Sequence, residues 1–202
     1  MKRIITVQHT QSVHHTNGMV GSWTDWDLTE LGKKQADSIG KKLKEELEGK
    51  DVIIYSSDLK RAKQTAEKIA KYLNVTPVYR RELRERNLGK CCGHSVQWLR
   101  ENIETPEKTV DDRLFSDGES RRDAWERLLP FFKEITENGE ESIIIVSHGY
   151  LLGIWNAMFI GLTLESYYDV DIHGPAGGVS HMTVGDDGKR RIRHISDMSY
   201  VL

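Results

Sequence analysis

The sequence predicts an α/β fold built on a mostly parallel central sheet, and two observations lead to that prediction. Short runs of β-branched, apolar residues alternate with longer segments whose apolar residues recur every three or four positions, which is the spacing of an amphipathic helix. The runs 4–7 and 142–147 are strongly apolar and break off just before His9 and His148. Continuous apolar runs of this length are typical of strands buried inside a parallel sheet.

Length and composition favour a single globular domain over residues 1–202. With 202 residues, of which 38% are hydrophobic, the chain is long enough for one core and short for two. Its 29 basic and 31 acidic residues give a formal charge of -2 without a block of one sign, so we expect neither a nucleic-acid surface nor a membrane surface. No apolar run approaches the ~18 residues of a membrane span, and no signal-peptide pattern is visible. We therefore expect a cytoplasmic protein.

The first half of the chain is predicted to contain two strands and two helices. Residues 14–27 have no clear period and are expected to form an ordered loop after the first strand. Thr29 is predicted to cap a helix that ends at Gly49, with a buried stripe of Leu31, Ala36, Ile39, Leu43 and Leu47. After a second strand at 52–55, either Ser57 or Asp58 is expected to cap the next helix. The first turn of that helix contains Arg61, near the carboxyl end of the strand.

The second half is predicted to complete the sheet. An edge strand at 77–79 precedes an excursion over residues 80–117 that covers the carboxyl-terminal edge of the sheet and contains a short helix near Val96. A helix follows Ser120, with a kink expected at Pro130 because proline removes an internal hydrogen bond. The strand at 142–147 should be central, and a mostly buried helix at 150–160 follows it. The last third should be an antiparallel hairpin whose turn is Asp186-Asp187-Gly188.

Two strand-end histidines suggest a shared site. The carboxyl ends of parallel strands lie at the same edge of a sheet, so we expect His9 and His148 to face each other, with Arg61 reaching the same space. An imidazole can attack phosphorus and later leave, while fixed positive charge holds the transferred oxygens. A carboxylic acid must also protonate the departing alkoxide. These residue types therefore suit phosphoryl transfer.

Several motifs in the right order resemble those of the histidine phosphatase superfamily, which includes the cofactor-dependent phosphoglycerate mutases. The resemblance runs from Ile4 to about Ile160. The matching segments are Gln8-His9-Thr10 for Arg-His-Gly, 22–36 for the loop and first helix, 56–66 for the second arginine motif, 83–86 for the acid-bearing segment, Gly118-Glu119-Ser120, and Ser147-His148-Gly149.

The resemblance implies a phosphoglycerate mutase-like, three-layer α/β/α sandwich and a metal-independent phosphomonoesterase that needs no cofactor. It assigns His9 as the nucleophile, Arg61 and His148 as groups that hold the phosphoryl oxygens, and Glu85 as proton donor and then base. Further phosphate or substrate contacts are expected from Gln8, Ser12, His15, Ser22 and the backbone N–H of Gly149 at a helix start. Specificity should lie in the excursion, where the candidates are Arg84, Arg86, His94, Trp98 and Arg100.

The chain departs from the family pattern beside the nucleophile. Gln8 replaces the arginine that normally supports phosphate, and the loss of a charge-assisted hydrogen bond costs ~1.5–3 kcal/mol. Thr10 replaces a glycine, and His15 replaces an asparagine. Our hypothesis is that protonated His14 or His15 returns part of the missing charge. That hypothesis predicts activity favouring mildly acidic pH.

Three functions compete at this point. The leading one is a phosphatase acting on a small phosphorylated metabolite, followed by a phosphoglycerate mutase-type phosphoryl transfer and by a catalytically weak phospholigand-binding protein. A metal site at His14 and His15 is a weaker alternative, because neighbouring side chains usually point apart and no carboxylate or cysteine stands at chelating spacing. The sequence leaves open whether the chain forms a homodimer.

Overall fold

The computed structural model describes residues 1–201 and contains a six-stranded mixed sheet. The strands are β1 (Lys2–Gln8), β2 (Ile53–Ser56), β3 (Val78–Tyr79), β4 (Ser142–Ser147), β5 (Val179–Val184) and β6 (Arg190–Asp197). Their order across the sheet is β3-β2-β4-β1-β5-β6. The first four strands are parallel to one another, β5 pairs antiparallel with β1, and β6 pairs antiparallel with β5. The predicted α/β class, the central position of β4 and the antiparallel end are thereby confirmed.

The helices are α1 (His14–Asn17), α2 (Glu30–Glu46), α3 (Lys60–Leu73), α4 (Val96–Asn102), α5 (Arg121–Glu137), α6 (Gly149–Ile160) and α7 (Leu164–Tyr167). Short 3-10 turns lie at Arg81–Leu83, Gly89–Cys91 and Met198–Val201. None of the helices in residues 1–201 has the length and apolar character needed to cross a membrane.

Two hydrophobic cores lie on opposite faces of the sheet. Successive residues of β4 alternate between them: Ile143 and Ile145 pack in the core with α5 and α6, whereas Ile144 and Val146 pack in the core with α2 and α3. This alternation follows from the two-residue period of a strand. The result is the three-layer α/β/α sandwich that the family resemblance implied.

Local details differ from the sequence predictions at three places. The segment predicted as a loop at 14–27 contains the single-turn helix α1. Leu31 is 51% exposed, and its neighbour Gly32 is buried instead. Neither Ser57 nor Asp58 is the N-cap of α3, which is Leu59. Thr29 does cap α2, since its hydroxyl accepts a hydrogen bond from the Gly32 N–H at 3.0 Å.

The excursion at 80–117 contains α4, near the predicted position, and a small third core. Val20, Cys91 and Phe115 are its buried members. Val20 belongs to the loop after β1, and its N–H donates to the His94 carbonyl at 2.9 Å. The excursion and the β1 loop therefore pack together.

The register of the parallel strands β1 and β4 determines where His9 and His148 lie relative to each other. Gln8 of β1 lies opposite Ser147 of β4, so both strands end at the same level of the sheet. His9 and His148 are the next residues, and the His9 N–H donates to the Ser147 carbonyl at 2.9 Å.

Candidate active site

His9 and His148 lie beside each other at the carboxyl edge of the sheet. Both side chains are buried, and their ring centroids are 5.1 Å apart with an interplanar angle of 61°. Arg61, in the first turn of α3, donates from Nε to His9 Nε2 at 3.2 Å. The structure thus brings together three of the side chains to which the sequence assigned chemistry.

His9 has the features of a nucleophile. Its Nδ1 donates to the Thr10 carbonyl at 2.9 Å, which leaves the lone pair on Nε2. Burial, together with the nearby charge of Arg61, holds the pKa of His9 well below its usual value. The ring is therefore neutral near pH 7, with Nε2 as its basic atom.

Arg61 is a buried cation attached to the loop after β1. Its Nη1 donates to the Thr24 carbonyl at 2.7 Å, and its Nη2 donates to the Ser22 carbonyl at 2.8 Å. Burial lowers the pKa of Arg61 to about 10, so it stays charged at neutral pH. With the bond to His9, three of its five N–H groups are used, and the other two remain for an anion.

His148 is the N-cap residue of α6, and its side chain contacts Ser57, which the sequence analysis assigned only as a possible helix cap. Its Nε2 and the Ser57 hydroxyl are 2.8 Å apart, whereas its Nδ1 is buried and has no partner within residues 1–201. Burial and the charge of Arg61 hold the pKa of His148 well below its usual value. The polar residues that follow β2 were the signal that could have identified Ser57.

Glu85 lies where the excursion meets the start of α6. Its Oε1 accepts from the Arg86 N–H at 2.9 Å, and its Oε2 accepts from the Tyr150 N–H at 3.3 Å. Burial raises the pKa of Glu85, and this effect exceeds the opposing effects of these bonds and of Arg61 and Arg127. A carboxyl with a raised pKa is suited to hold a proton until a leaving group needs it.

Two residues that the sequence analysis missed fix the backbone of Glu85. Arg127 of α5 donates to the carbonyls of Arg84 at 3.0 Å and Glu85 at 3.2 Å, and its Nε pairs with Glu119 at 2.7 Å. Trp23 donates from its indole to the Glu85 carbonyl at 2.6 Å. Glu119 belongs to the Gly-Glu-Ser motif, but no sequence pattern indicated its partner.

Among the predicted substrate contacts, Gln8 and Gly149 adjoin each other. A Cβ built on Gly149 would lie 3.2 Å from Gln8 Nε2, so the amide lies against the first residue of α6. Ser22 is placed differently. Its hydroxyl donates to the Arg86 carbonyl at 2.9 Å and accepts from the Leu88 N–H at 2.8 Å, so it connects the β1 loop to the excursion.

Ser12 contacts the side chains of both histidines of α1. Its hydroxyl lies 2.6 Å from His14 Nδ1, and its N–H donates to His15 Nδ1 at 3.2 Å. The rings of His14 and His15 are 4.0 Å apart at their centroids, so the expectation that they point apart is wrong. The His15 ring also stacks on His9, with 5.4 Å between centroids and an angle of 8°.

The charge states of His14 and His15 weigh against the compensation hypothesis. Burial, His15 and Arg61 together lower the pKa of His14 to about 3, and burial with Arg61 lowers the pKa of His15. Both rings are neutral near pH 7. They can donate hydrogen bonds to an anion, but they do not replace the charge of an arginine at Gln8.

His9, His14 and His15 also form the one group in residues 1–201 whose ligand atoms are close enough for a metal, within 4.8 Å of one another. The guanidinium of Arg61 already contacts His9 Nε2. A divalent cation at that position would be repelled by Arg61, whereas a phosphoryl group would be attracted. The electrostatics of the group therefore favour an anion.

Comparisons with known proteins agree with this geometry. The model of the histidine phosphatase superfamily, branch 1, matches residues 4–197. Phosphoserine phosphatase 1 of Hydrogenobacter thermophilus is 28% identical over 90% of this chain and 87% of its own, and a metal-independent phosphoserine phosphatase of Arabidopsis thaliana is 32% identical over 81% and 69%. A 2,3-bisphosphoglycerate-dependent phosphoglycerate mutase of Bartonella tribocorum is 28% identical over 73% and 76%.

Solved structures with the same fold also include phosphatases. The native structure of a mycobacterial glucosyl-3-phosphoglycerate phosphatase superposes with a TM-score of 0.79 at 20% identity, covering 96% of this chain and 98% of the other. That similarity confirms the predicted fold. Because the family model spans almost the whole chain, the resemblance inferred from the motifs is confirmed as well, and the chain belongs to the histidine phosphatase superfamily, branch 1.

Proposed function

We propose that this phosphatase hydrolyses small phosphomonoesters through a phosphohistidine intermediate on His9. The observation that carries the proposal is the buried His9 ring, whose Nε2 lies 3.2 Å from the Arg61 Nε. Curated relatives whose names include phosphoserine phosphatase and glucosyl-3-phosphoglycerate phosphatase support this reaction class.

In the first step, His9 Nε2 attacks phosphorus, so that an N–P bond forms and the ester P–O bond breaks. Arg61 exchanges its bond from Nε to His9 for a bond to a phosphoryl oxygen, and its charge stabilises the transferred group. Glu85 gives its proton to the departing oxygen. The buried His148 Nδ1, which has no partner in the described chain, supplies a further polar contact.

In the second step, water takes the place of the alcohol. The Glu85 carboxylate removes a proton from the water as the oxygen attacks phosphorus, and the N–P bond breaks to release inorganic phosphate. Glu85 regains its proton and His9 regains its lone pair. The same carboxyl thus serves as acid and then as base.

Phosphoglycerate mutase-type transfer is the second candidate, and mutases among the curated relatives favour it. The two reactions differ in the acceptor, which is water in a phosphatase and a substrate hydroxyl in a mutase. Product formed from 3-phosphoglycerate only when bisphosphoglycerate is added would indicate the mutase. Thermal stabilisation by phospholigands without turnover would indicate the third candidate, a phospholigand-binding protein.

The proposal is tested with p-nitrophenyl phosphate. His9→Ala should lower kcat by roughly 10⁵-fold or more, the scale on which removal of a covalent nucleophile acts. His194→Ala is the matched control, because His194 is exposed on β6. Radiolabelled phosphate trapped during turnover should be acid-labile and located on His9. Turnover that survives His9→Ala, or label on another residue, would contradict the proposal.

Four further expectations from the sequence belong to the same proposal. They are a single domain over residues 1–202, an excursion at 80–117 that covers the substrate, a cytoplasmic location, and the homodimer that the sequence left open as one possible state. Sedimentation at several protein concentrations tests the homodimer, and cell fractionation tests the location.

A further inference from the structure

The proton of the Ser57 hydroxyl has one acceptor among the residues that the structure describes. Ser57 follows β2 and is fully buried. Its Oγ accepts a hydrogen bond from the Leu59 N–H at 3.2 Å, and its other polar contact within residues 1–201 is His148 Nε2 at 2.8 Å. Buried hydroxyls are nearly always hydrogen-bonded, and each has one proton to donate. Because the Leu59 N–H cannot accept that proton, Ser57 donates it to His148 Nε2.

This hydrogen bond determines which nitrogen of the His148 ring has a proton. A neutral imidazole has one N–H and one lone pair, and the bond made by one nitrogen sets the state of the other. The ring is neutral near pH 7, since burial and the charge of Arg61 hold the pKa of His148 well below its usual value. With the lone pair on Nε2, the proton of His148 lies on Nδ1.

The Nδ1–H of His148 is a donor that awaits an acceptor. It is buried and has no partner within residues 1–201, and its ring lies 5.1 Å from the His9 ring, centroid to centroid. A phosphoryl group on His9 would bring oxygens that can accept its hydrogen bond. In the opposite tautomer, Nδ1 would offer a lone pair, which repels such oxygens, and the Ser57 hydroxyl would lose its acceptor.

The position of Ser57 is itself fixed by neighbouring elements. Its N–H donates to the Val146 carbonyl of β4 at 2.9 Å. The hydroxyl that contacts His148 also accepts from the N–H of Leu59, the N-cap residue of α3, whose first turn contains Arg61. Ser57 therefore connects the start of α3 with the start of α6, and its hydroxyl has little freedom to turn away from His148.

We propose that Ser57 is a positioning residue that fixes His148 as the Nδ1–H tautomer, so that the neutral ring donates a hydrogen bond to the transferred phosphoryl group. The inference rests on the proposed phosphatase reaction. Ser57 acts only through His148, in the way that a buried hydrogen-bond partner orients a catalytic imidazole in other enzymes. Because His148 stabilises charge here and transfers no proton, the expected effect is that of one hydrogen bond.

Nitrogen NMR of ¹⁵N-histidine-labelled protein at pH 7 measures the tautomer directly. His148 should have a proton on Nδ1 and none on Nε2, and its signals are those that disappear in His148→Ala. Ser57→Ala should move a measurable fraction of the proton to Nε2. Ser56→Ala is the matched control, because Ser56 is equally buried but its hydroxyl donates to the Ser57 carbonyl at 2.9 Å. The tautomer should be unchanged in that variant.

Kinetics with p-nitrophenyl phosphate measure the consequence for the reaction. Ser57→Ala should lower kcat by roughly 10- to 100-fold, which is the contribution of one hydrogen bond to a charged group. KM should change less, because preorganised donors act mainly on charge in the transition state. Ser56→Ala should keep kcat within about threefold of the original value, since it leaves the hydrogen bond to His148 intact.

A double-mutant cycle distinguishes control of the tautomer from a structural effect on α3. Ser57→Ala combined with His148→Ala should be no slower than His148→Ala alone, because no ring remains for Ser57 to position. Losses that multiply in the double variant would show that Ser57 acts independently of His148. Thermal unfolding of each variant establishes that the compared proteins are folded.

The inference fails if His148 has its proton on Nε2 in the wild-type chain, if Ser57→Ala leaves either the tautomer or kcat unchanged, or if the two losses multiply. His9-dependent turnover with any of these results would overturn this inference alone. If no phosphoester is hydrolysed in a His9-dependent way, the proposed function fails, and calorimetric binding of inorganic phosphate decides the inference. Weaker binding in Ser57→Ala, but no further weakening when His148→Ala is already present, would support it, and equal affinities would overturn it.

Discussion

Glu85 determines how the rate should depend on pH. Its first role requires the protonated carboxyl, and burial raises the pKa of that carboxyl. The first step should therefore be fast at low pH and should slow as pH rises through the raised pKa. The lowered pKa of His9 keeps the nucleophile neutral well below pH 6.5. A preference for mildly acidic pH is thus expected from Glu85 and His9, without a protonated His14 or His15.

The Glu85→Gln variant tests this assignment. It should lower kcat/KM for an alkyl phosphomonoester by roughly 10²–10⁴-fold, the usual contribution of a general acid, and should remove the alkaline limb of the pH profile. The loss should be smaller for p-nitrophenyl phosphate, because nitrophenolate leaves without a proton. Glu82→Gln, at the preceding 3-10 turn, is the control. Equal losses for both substrates would count against Glu85 as the acid.

Gln8 occupies the position at which the resemblance to the family implies an arginine. Gln8→Arg should lower KM for a phosphomonoester about tenfold, since a charge-assisted hydrogen bond is worth ~1.5–3 kcal/mol and repulsion from Arg61 offsets part of it. Without phosphate, the added buried cation should destabilise the fold by about 1–3 kcal/mol. Steady-state kinetics and thermal unfolding with and without phosphate measure both effects. Gln97→Arg, exposed on α4, is the control, and an unchanged KM for Gln8→Arg would contradict the prediction.

At the scale of elements, the longer helices were predictable, but the single-turn helices α1 and α7, the cap of α3 and some helix contacts were not. The periodicity of α2 identified the buried residues Ala36, Ile39 and Leu43. It did not distinguish Leu31 from Gly32, because the backbone of Gln11 approaches that position of α2. Periodicity contains no information about a segment 21 residues away in the chain. Position 32, which faces the backbone of Gln11, must therefore be a glycine, because a side chain there would collide with that backbone.

Gly32→Ala should be strongly destabilising. A Cβ at Gly32 would lie 1.9 Å from the Gln11 carbonyl oxygen, so the segment after His9 must shift. Thr10 is part of that segment, and its hydroxyl donates to the Gly32 carbonyl at 2.8 Å. We expect a loss of at least about 1–3 kcal/mol in the free energy of unfolding, together with reduced kcat, because His9 moves with Thr10.

Gly139→Ala is the matched control, since its Cβ would meet no atom within 4 Å. Its free energy of unfolding should stay within about 0.5 kcal/mol of the original value. Urea unfolding followed by tryptophan fluorescence measures both variants. Equal stability of the two would show that the contact with Gln11 does not constrain α2.

For the molecule as a whole, the sheet made the centre of the site predictable. His9 and His148 follow β1 and β4, and strand register alone places them side by side. The contacts around this centre were not predictable in the same way. Trp23 and Arg127 both bond to the Glu85 carbonyl from distant segments, and the Ser22 hydroxyl supports the excursion. Such contacts arise from packing between layers, which no local pattern encodes.

The charge distribution of the whole site leads to a last prediction, on metal dependence. The ligand atoms of His9, His14 and His15 are close enough together for a metal site. The positively charged guanidinium of Arg61, however, lies within hydrogen-bond distance of His9 Nε2. Phosphoryl charge is then balanced by the guanidinium and by imidazole N–H groups. Turnover of p-nitrophenyl phosphate should be unchanged in excess chelator and should not rise with added Mg²⁺, Mn²⁺ or Zn²⁺. A metal-dependent phosphatase, inactivated under the same conditions, is the control. Loss of activity in chelator that Zn²⁺ alone restores would show instead that the three histidines hold a catalytic metal.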